Sequence, residues 1–534
     1  MSTHRTCTQK DFNMETTTPS GISRRDLIKL LGAGALYSLL PNRGEAAPLP
    51  AFEPGKGIGL IFVVGDGMPL GVTRAMHEIR TGVFGSRDSN LYARLRDSRS
   101  SVGYMGTASL SSIVTDSAPA SVAWATGVKT SNRMLAALPY GRPLTTILEL
   151  LKGEGYGCGL VTTTRVTHAT PAAWVSHQLH RDLEDDIALD MLAFRPDVLL
   201  GGGSAHFDAA KRPDKKDLFA GFAKSGFDVV RDRKALLASE SDTRPLMGTF
   251  AASHLAYSVD RLNNKELGAA QPTLPEMTAA ALKRLSHNPK GFVLQVEAGR
   301  IDHANHSNDA WGAIMDTIEL DDTLAVIDAY LAANPNTLVI VTSDHGNSGW
   351  GLNGTGPDYN DAAAALRSYG AATASFEVII KKMKGKGAAD IGEIVREHTG
   401  FTINTAESRM ITDAMATDYA PYPGDFICQP DATLAKILSH SSYGKSSNGQ
   451  SRRGNVGFTS CNHTAEDQLL LAYGHKAREL GMDRFVDNTY LFEVMCRYFG
   501  ISFKNPSMTP EQAKPFIKTT SAGEWQNHMK RHIA

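Results

Sequence analysis

Near-continuous apolar runs recur along this chain, and each stops at a polar or glycine-rich turn. They occupy residues 59–64, 159–162, 197–200, 292–296, 337–341 and 468–472. A strand with one buried face alternates apolar and polar residues, whereas these runs are apolar at successive positions. They therefore suit strands buried on both faces of a sheet. Helix-like segments lie between them, at 142–153, 275–287, 308–333 and 488–499. This alternation predicts an α/β fold, a mainly parallel sheet with helices on both faces. A length of 534 residues permits three or four domains, or one large α/β domain with insertions. The stretch 347–460 breaks the rhythm. It holds Gly/Asn-rich turns, a short apolar run at 376–380, a helical stretch near 387–398 and a Ser/Gly/Arg-rich loop at 441–455. It reads as a cap inserted into a catalytic domain spanning 48–534.

Charge and composition narrow the function. Hydrophobic residues make up 42% and charged residues 21%, so disorder throughout the chain is not expected. With 55 Lys+Arg against 56 Asp+Glu the net charge is −1, and the basic excess of a nucleic-acid binder is absent. The five cysteines form no C-x-x-C pair, which leaves a cysteine-based zinc site without support, and they are too sparse for a disulfide scaffold. The first 47 residues carry Arg24-Arg25, an apolar stretch at 30–40 and the small residues of Gly44-Glu45-Ala46-Ala47. That order resembles a bacterial twin-arginine signal peptide. The apolar stretch falls far short of the ~20 residues that span a bilayer. No other segment reads as transmembrane, so the expected location of the mature chain is periplasmic or secreted.

Ligands of open α/β sheets bind beyond the carboxyl ends of the strands. Acids and histidines of this chain stand there. Asp66 follows the first run, Glu297 ends the fourth, Asp344 and His345 follow the fifth, and His463 precedes the sixth. Glu297, Asp302 and His306 are spaced E-x-x-x-x-D-x-x-x-H. If a helix begins here, Asp302 and His306 share one face at i and i+4 and can hold one metal. Mixed carboxylate and imidazole donors suit zinc. Ser117 is a candidate nucleophile, because it precedes a helix-compatible stretch at 118–126, where backbone N–H groups favour an anion such as phosphate. On the same residues, Asp116 or Ser117 could simply cap that helix. There is no G-x-S-x-G elbow, so an α/β-hydrolase esterase is not indicated.

The motifs Gly65-Asp66-Gly67-Met68, Thr115-Asp116-Ser117-Ala118, Glu297 to His306, Asp344-His345 and Asn462-His463-Thr464 together resemble the alkaline phosphatase family. Thr126-Gly127-Val128-Lys129-Thr130 and the stretch from His168 to Ala173, with Arg181 downstream, fit as well. The resemblance runs from about residue 57 to 500, interrupted by 347–460. It implies an exported hydrolase of small phosphate monoesters, acting through a phosphoserine with two Zn2+ and one Mg2+. By the same resemblance Asp302, His306 and His463 would hold the first zinc. Asp66, Asp344 and His345 would hold the second, with Ser117. Asp66, Thr170 and Glu297 would hold the magnesium, and Arg181 would clamp the phosphate. His168 and His303 stand where other members carry Asp and Lys, and would support the metals from behind. A homodimer is usual in the family.

Three other readings compete. Phosphodiesterases of the same superfamily usually lack the clamping arginine and the magnesium site, so Arg181, Thr170 and Glu297 favour monoesters. The sulfatase pattern C/S-x-P-x-R fails at Ser121. A metal- or phosphate-binding protein without turnover has no use for Ser117 as a nucleophile.

Overall fold

The computed structural model describes residues 49–534, apart from 56, 240–242, 417–428, 440–452, 518, 519 and 534. The signal-like segment 1–47 and most of the 441–455 loop lie outside the described residues. All six apolar runs become strands of one ten-stranded sheet. Its strands are β1 Ile58–Gly65, β2 Ser101–Gly106, β3 Gly157–Arg165, β4 Val198–Gly202, β5 Asp228–Val230, β6 Leu246–Thr249, β7 Gly291–Ala298, β8 Thr337–Thr342, β9 Gln468–Gly474 and β10 Phe485–Asp487. The spatial order is β10-β2-β9-β8-β1-β7-β3-β4-β6-β5. β9 pairs antiparallel with β8 and β2, and the other ladders are parallel. The sheet is therefore mainly parallel, as the alternation of elements predicts. Strands β5 and β10 are three residues each, and β2 buries only alternate residues, so none of them carries the continuous apolar signal.

The helices used below are α1 Leu70–Gly82, α2 Ser117–Thr126, α3 Leu274–Leu285, α4 Arg300–His306, α5 Ala310–Ala333, α6 Tyr490–Phe499 and α7 Ala522–Ile533. Successive residues of β1 feed opposite faces. Ile61 and Val63 join a cluster with Val72 of α1, Met277 of α3 and Ile314 of α5. Leu60, Phe62 and Val64 join another with Trp124 of α2 and Val494 of α6. Burying both faces is what permits β1 to be apolar throughout.

Local chemistry sets the helix boundaries. Thr273 and Glu276 form a capping box ahead of α3, with a proline in its first turn. Asp309 caps α5 by accepting from the Gly312 N–H at 2.9 Å. The helix expected at 142–153 begins only at Ile147. Thr146 and Glu149 form its capping box, and Pro143 sits upstream in an extended bridge with Ala137.

The stretch 347–460 is entered and left side by side. Gly346–Asn347 pairs antiparallel with His463–Thr464, and Gly351–Leu352 with Val456–Gly457. Its described part is mostly helical, with helices at Ala362–Ser368, Phe376–Met383, Ala388–Thr399, Thr405–Ala416 and Asp431–Ser439. The apolar run at 376–380 opens a helix because the Ser375 side chain caps it, accepting from the Val378 N–H. Leu366, Phe376 and Ile379 extend the same apolar cluster that holds Trp311 and Ile314.

Phe62 is fully buried at the centre of the sheet, with ring centroids 5.1 Å from Trp124 and 5.5 Å from Trp174. Phe62→Ala is expected to cost about 3–5 kcal/mol of folding stability. Equilibrium denaturation in urea measures it, and a midpoint equal to that of the wild type would contradict this packing.

Candidate active site

Three neighbouring strands end level. The register places Val64 of β1 opposite both Glu297 of β7 and Thr342 of β8. Asp66, Glu297 and Asp344 therefore emerge at one edge of the sheet, and all three are fully buried. Gly67 lets β1 turn away there. Its φ is +53°, and a Cβ would lie 2.3 Å from Asp302 Oδ1, so any side chain would enter the site. The Gly67 N–H donates to Asp344 Oδ1 at 2.9 Å, tying the β1 turn to the β8 turn.

Ser117 opens α2. Of the two residues that could cap this helix, Asp116 does so: it accepts from the Ala118 N–H at 2.8 Å and the Arg133 N–H at 2.6 Å. The Ser117 hydroxyl is left 3.2 Å from His345 Nε2. Asp302 and His306 do lie on one helix, α4, with His306 Nε2 3.2 Å from Asp302 Oδ2. His463 stands just past the far end of the 347–460 stretch, its Nε2 3.0 Å from His306 Nε2.

The ligand atoms fall into groups whose members lie within 4.8 Å of one another. One group is Asp302, His306, His463 and His532, a second is Asp66, Asp344 and His345, and a third is Asp66, Glu297 and His168. Thr170 adds its hydroxyl, 3.5 Å from Asp66 Oδ2. The imidazoles are turned as metal ligands are. Nδ1 of His306 faces the Cys461 carbonyl at 2.6 Å, Nδ1 of His463 the Thr115 carbonyl at 2.9 Å, and Nδ1 of His345 the Gly346 carbonyl at 3.2 Å. Each ring that donates from Nδ1 keeps its Nε2 lone pair for a cation. Burial and the nearby His345 push the pKa of His463 down to about 4, which keeps that imidazole neutral.

The carboxylates point to the same requirement. Burial, then the facing Asp344, Asp302 and Glu297, push the pKa of Asp66 well above the usual carboxylate range. Burial pushes Glu297 up to about 7. Asp66 Oδ1 and Glu297 Oε1 have no hydrogen-bond partner among the described residues. Buried acids facing one another favour either protons or a bound cation. The mixed N/O groups fit zinc, and the oxygens of Asp66, Glu297 and Thr170 fit magnesium. The residues present thus suit the metals that the sequence motifs imply.

Arg181 is buried beside Asp116, the cap that precedes Ser117. Its Nη1 lies 3.4 Å from Asp116 Oδ1 and its Nη2 2.8 Å from His168 Nε2. His303 receives a contact from Arg300 Nη1 at 2.8 Å on Nδ1, and its ring centroid is 5.5 Å from that of His168. All twelve residues singled out in the sequence are therefore brought to this one edge. Others arrive that the sequence reading passed over. The Asn347 amide donates to Asp302 Oδ1 at 2.6 Å, and the Thr162 hydroxyl donates to Glu297 Oε2. His254 stacks edge-on against His303 with ring centroids 4.3 Å apart. His532 of α7 has Nε2 3.0 Å from Asp302 Oδ2. The available signal for His532 was its i, i+4 spacing from His528, the spacing that drew attention to Asp302 and His306.

Comparison with known proteins agrees with this geometry. Alkaline phosphatase 4 of Bacillus subtilis is 28% identical over 456 residues, covering 84% of this chain and 90% of that one. Streptomycin-6-phosphate phosphatase of Streptomyces griseus is 32% identical over 354 residues, covering 58% and 78%. The crystal structure of Thermus thermophilus alkaline phosphatase superposes with a TM-score of 0.79 at 36% identity, covering 90% of this chain and 99% of that one. Residues 58–501 match the family described as alkaline phosphatase, a span that takes in every strand of the sheet and every site residue except His532. The chain belongs to the alkaline phosphatase family and is a hydrolase acting on phosphate esters.

Proposed function

We propose that this chain is an exported alkaline phosphatase that hydrolyses small phosphate monoesters through a phosphoserine on Ser117, with two zinc ions and one magnesium. The observation that carries this reading is the Ser117 hydroxyl at the N-terminus of α2, 3.2 Å from a histidine of the Asp66, Asp344 and His345 group. Asp302, His306 and His463 would hold the first zinc, and Asp66, Asp344, His345 and Ser117 the second. Asp66, Thr170 and Glu297 would hold the magnesium, with His168 and His303 behind. Bound metals supply Lewis-acid charge to the serine oxygen and to the departing alcohol oxygen. Ser117 Oγ forms a bond to phosphorus as the bond to the alcohol oxygen breaks, and the alcohol leaves with a proton. The planar fork of Arg181 holds two non-bridging oxygens while this happens. Water then attacks phosphorus and breaks the bond to Ser117. Inorganic phosphate leaves, and the serine regains its proton.

Export is supported by Cys461, which is disulfide-bonded, since disulfides persist in oxidising compartments. No helix among the described residues is long and apolar enough to cross a membrane. The 347–460 insertion acts as a cap on the catalytic domain. Glu377 reaches Arg300 Nη2 at 2.6 Å, which ties the insertion to the helix that carries Asp302 and His306. A homodimer is the assembly in which we expect the chain to work, and its mass in solution measures that.

Ser117→Ala is expected to lower kcat on an aryl phosphate by several orders of magnitude, with zinc content little changed. Retention of more than about a tenth of the activity would remove the covalent step. Arg181, and a magnesium that Asp66, Thr170 and Glu297 would hold, would meet the extra anionic oxygen that only a monoester presents. kcat/KM for an aryl phosphate should therefore exceed that for its methyl diester, and the reverse preference would select the phosphodiesterase reading.

Metal removal tests the carboxylates directly. Without a cation the folded chain holds Glu297 protonated up to about pH 7, whereas the unfolded chain ionises it near its ordinary value of 4.5. Folding stability of the chelator-treated protein should therefore fall as pH rises from about 4.5 to about 7. The metal-loaded protein, whose cation replaces the proton, should not show this fall. Thermal melts of both forms across that range measure the gap, and a gap that does not widen with pH would contradict the assignment.

A further inference from the structure

Helix α7 lies beyond the 58–501 stretch that matches the family, yet its end reaches the middle of the site. It is held there at several points. His528 Nδ1 lies 2.9 Å from Asp182 Oδ1, and Arg531 Nη2 lies 3.0 Å from Asp182 Oδ2. The last carbonyls of a helix lack partners within it. Here Arg165 Nη2 donates to the Arg531 carbonyl at 3.1 Å, and His254 Nε2 lies 3.1 Å from the His532 carbonyl. The anchoring residue Asp182 directly follows Arg181.

The buried imidazole of His532 faces two parts of the site at once. Its Nε2 joins the group formed by Asp302, His306 and His463. Four donors around a zinc with bonds of about 2.0–2.1 Å stand about 3.3 Å apart along tetrahedral edges. The spacings here are 3.0 Å for His532 Nε2 to Asp302 Oδ2, 3.2 Å for His306 Nε2 to Asp302 Oδ2 and 3.0 Å for His306 Nε2 to His463 Nε2, with His463 Nε2 3.5 Å from the other Asp302 oxygen, Oδ1. The other nitrogen, Nδ1, lies 2.9 Å from His168 Nε2 and 3.2 Å from Arg181 Nη2. Arg181 Nη1 is meanwhile held by Asp116. Both ends of the phosphate-binding fork are therefore engaged. A catalytic zinc keeps three protein ligands and an open position, whereas a site closed by four resembles a structural one.

We propose that α7 is a latch, and that His532 is a displaceable fourth protein ligand of the first zinc. It takes the coordination position and the Arg181 nitrogen that a phosphoryl group needs. This inference rests on the two-zinc reading given above. In the latched enzyme Asp302, His306, His463 and His532 close the first site. Substrate or inorganic phosphate binds when α7 withdraws, so apparent phosphate affinity is reduced by the fraction of time the latch is shut.

The test compares full-length wild type, His532→Ala and the double variant His528→Ala/Arg531→Ala, which keeps His532 but loosens its anchorage at Asp182. Each is loaded with zinc and magnesium. Zinc per chain and the rate of zinc loss to a chromogenic chelator are measured, and inorganic phosphate is titrated by calorimetry. His532→Ala should lose one zinc at least about tenfold faster than wild type, the scale on which ligand-sphere changes alter metal affinity. It should also bind phosphate about tenfold more tightly, as expected for a latch open about a tenth of the time. The double variant should shift both quantities in the same direction. Unchanged zinc loss and phosphate affinity in a folded, zinc-loaded His532→Ala would overturn the latch. Weaker phosphate binding in that variant would overturn it too, since His532 would then be gripping the substrate. Both results leave the two-zinc reading intact. That reading fails separately, if wild type itself holds fewer than two zinc ions and turns over no phosphate ester.

Discussion

Mutual repulsion among buried carboxylates is the interaction around which this structure is organised. Asp66, Glu297, Asp302 and Asp344 are fully buried at the ends of β1, β7 and β8 and on α4. The parallel register that levels those strands is also what crowds the charges together. In the low dielectric above an apolar sheet such repulsion is far stronger than in water. The neighbouring groups answer it with donors. N–H groups of Gly67 and His345 reach Asp344 Oδ1, the Asn347 amide reaches Asp302, and Thr162 reaches Glu297. Oxygens of Asp66 and Glu297 are still left without partners. A proton or a metal has to fill that deficit, and the imidazoles that present Nε2 beside the acids favour the metal.

The sheet supplies only part of the site. His345 and His463 are 118 positions apart in sequence (463 − 345). A long intervening loop adds little closure entropy, because that cost grows only with the logarithm of length. What must be specified is the return point. Gly346–Asn347 pairs with His463–Thr464, the Ser348 N–H donates to the Asn462 carbonyl at 2.8 Å, and the Asn308 amide donates to the Ser460 carbonyl at 2.8 Å. The disulfide-bonded Cys461 offers its carbonyl to His306. Backbone pairing thus positions both His463 and the carbonyl that orients His306.

The long strands and the acids at their ends were legible in the sequence because burial on both faces leaves an unbroken apolar run, and the turn after such a run is where the polar residues stand. Short strands such as β5 and β10 were not, since three residues carry no period. The stretch 347–460 stands out as a break in rhythm, but its helix at 405–416 rests on the reciprocal Asn404 and Glu407 cap, and the one at 362–368 has no side-chain cap and follows from no strong pattern. In the site, spacing alone put Asp302 and His306 together, because one helix turn is a local property. No local property points from Ser117 to His345, or from residue 532 to Asp302. Those meetings are set by the crossing of strands and by where α7 docks, and for most of the site only the family motifs supplied them. The motifs end before α7, so His532 stayed hidden.

Enclosure and access impose opposite demands on such a site. Burial strengthens every charge interaction within it and excludes water from the reacting phosphorus. Ser117, Arg181, Asp66, Glu297, Asp302 and Asp344 are all buried with α7 in place. A site so enclosed by the sheet alone would admit no phosphate ester. Closing it with a peripheral helix separates the two demands, because the acids stay fixed on strand ends and α4 while one element moves. The anchors of α7 are suited to reversible use. Asp182, Arg165 and His254 hold it through polar contacts around its last turn, and the strand ends that carry Asp66, Glu297 and Asp344 belong to the central sheet. Withdrawal of α7 would therefore free Arg181 Nη2 from His532 without disturbing the register of β1, β7 and β8, on which the geometry of the acids depends.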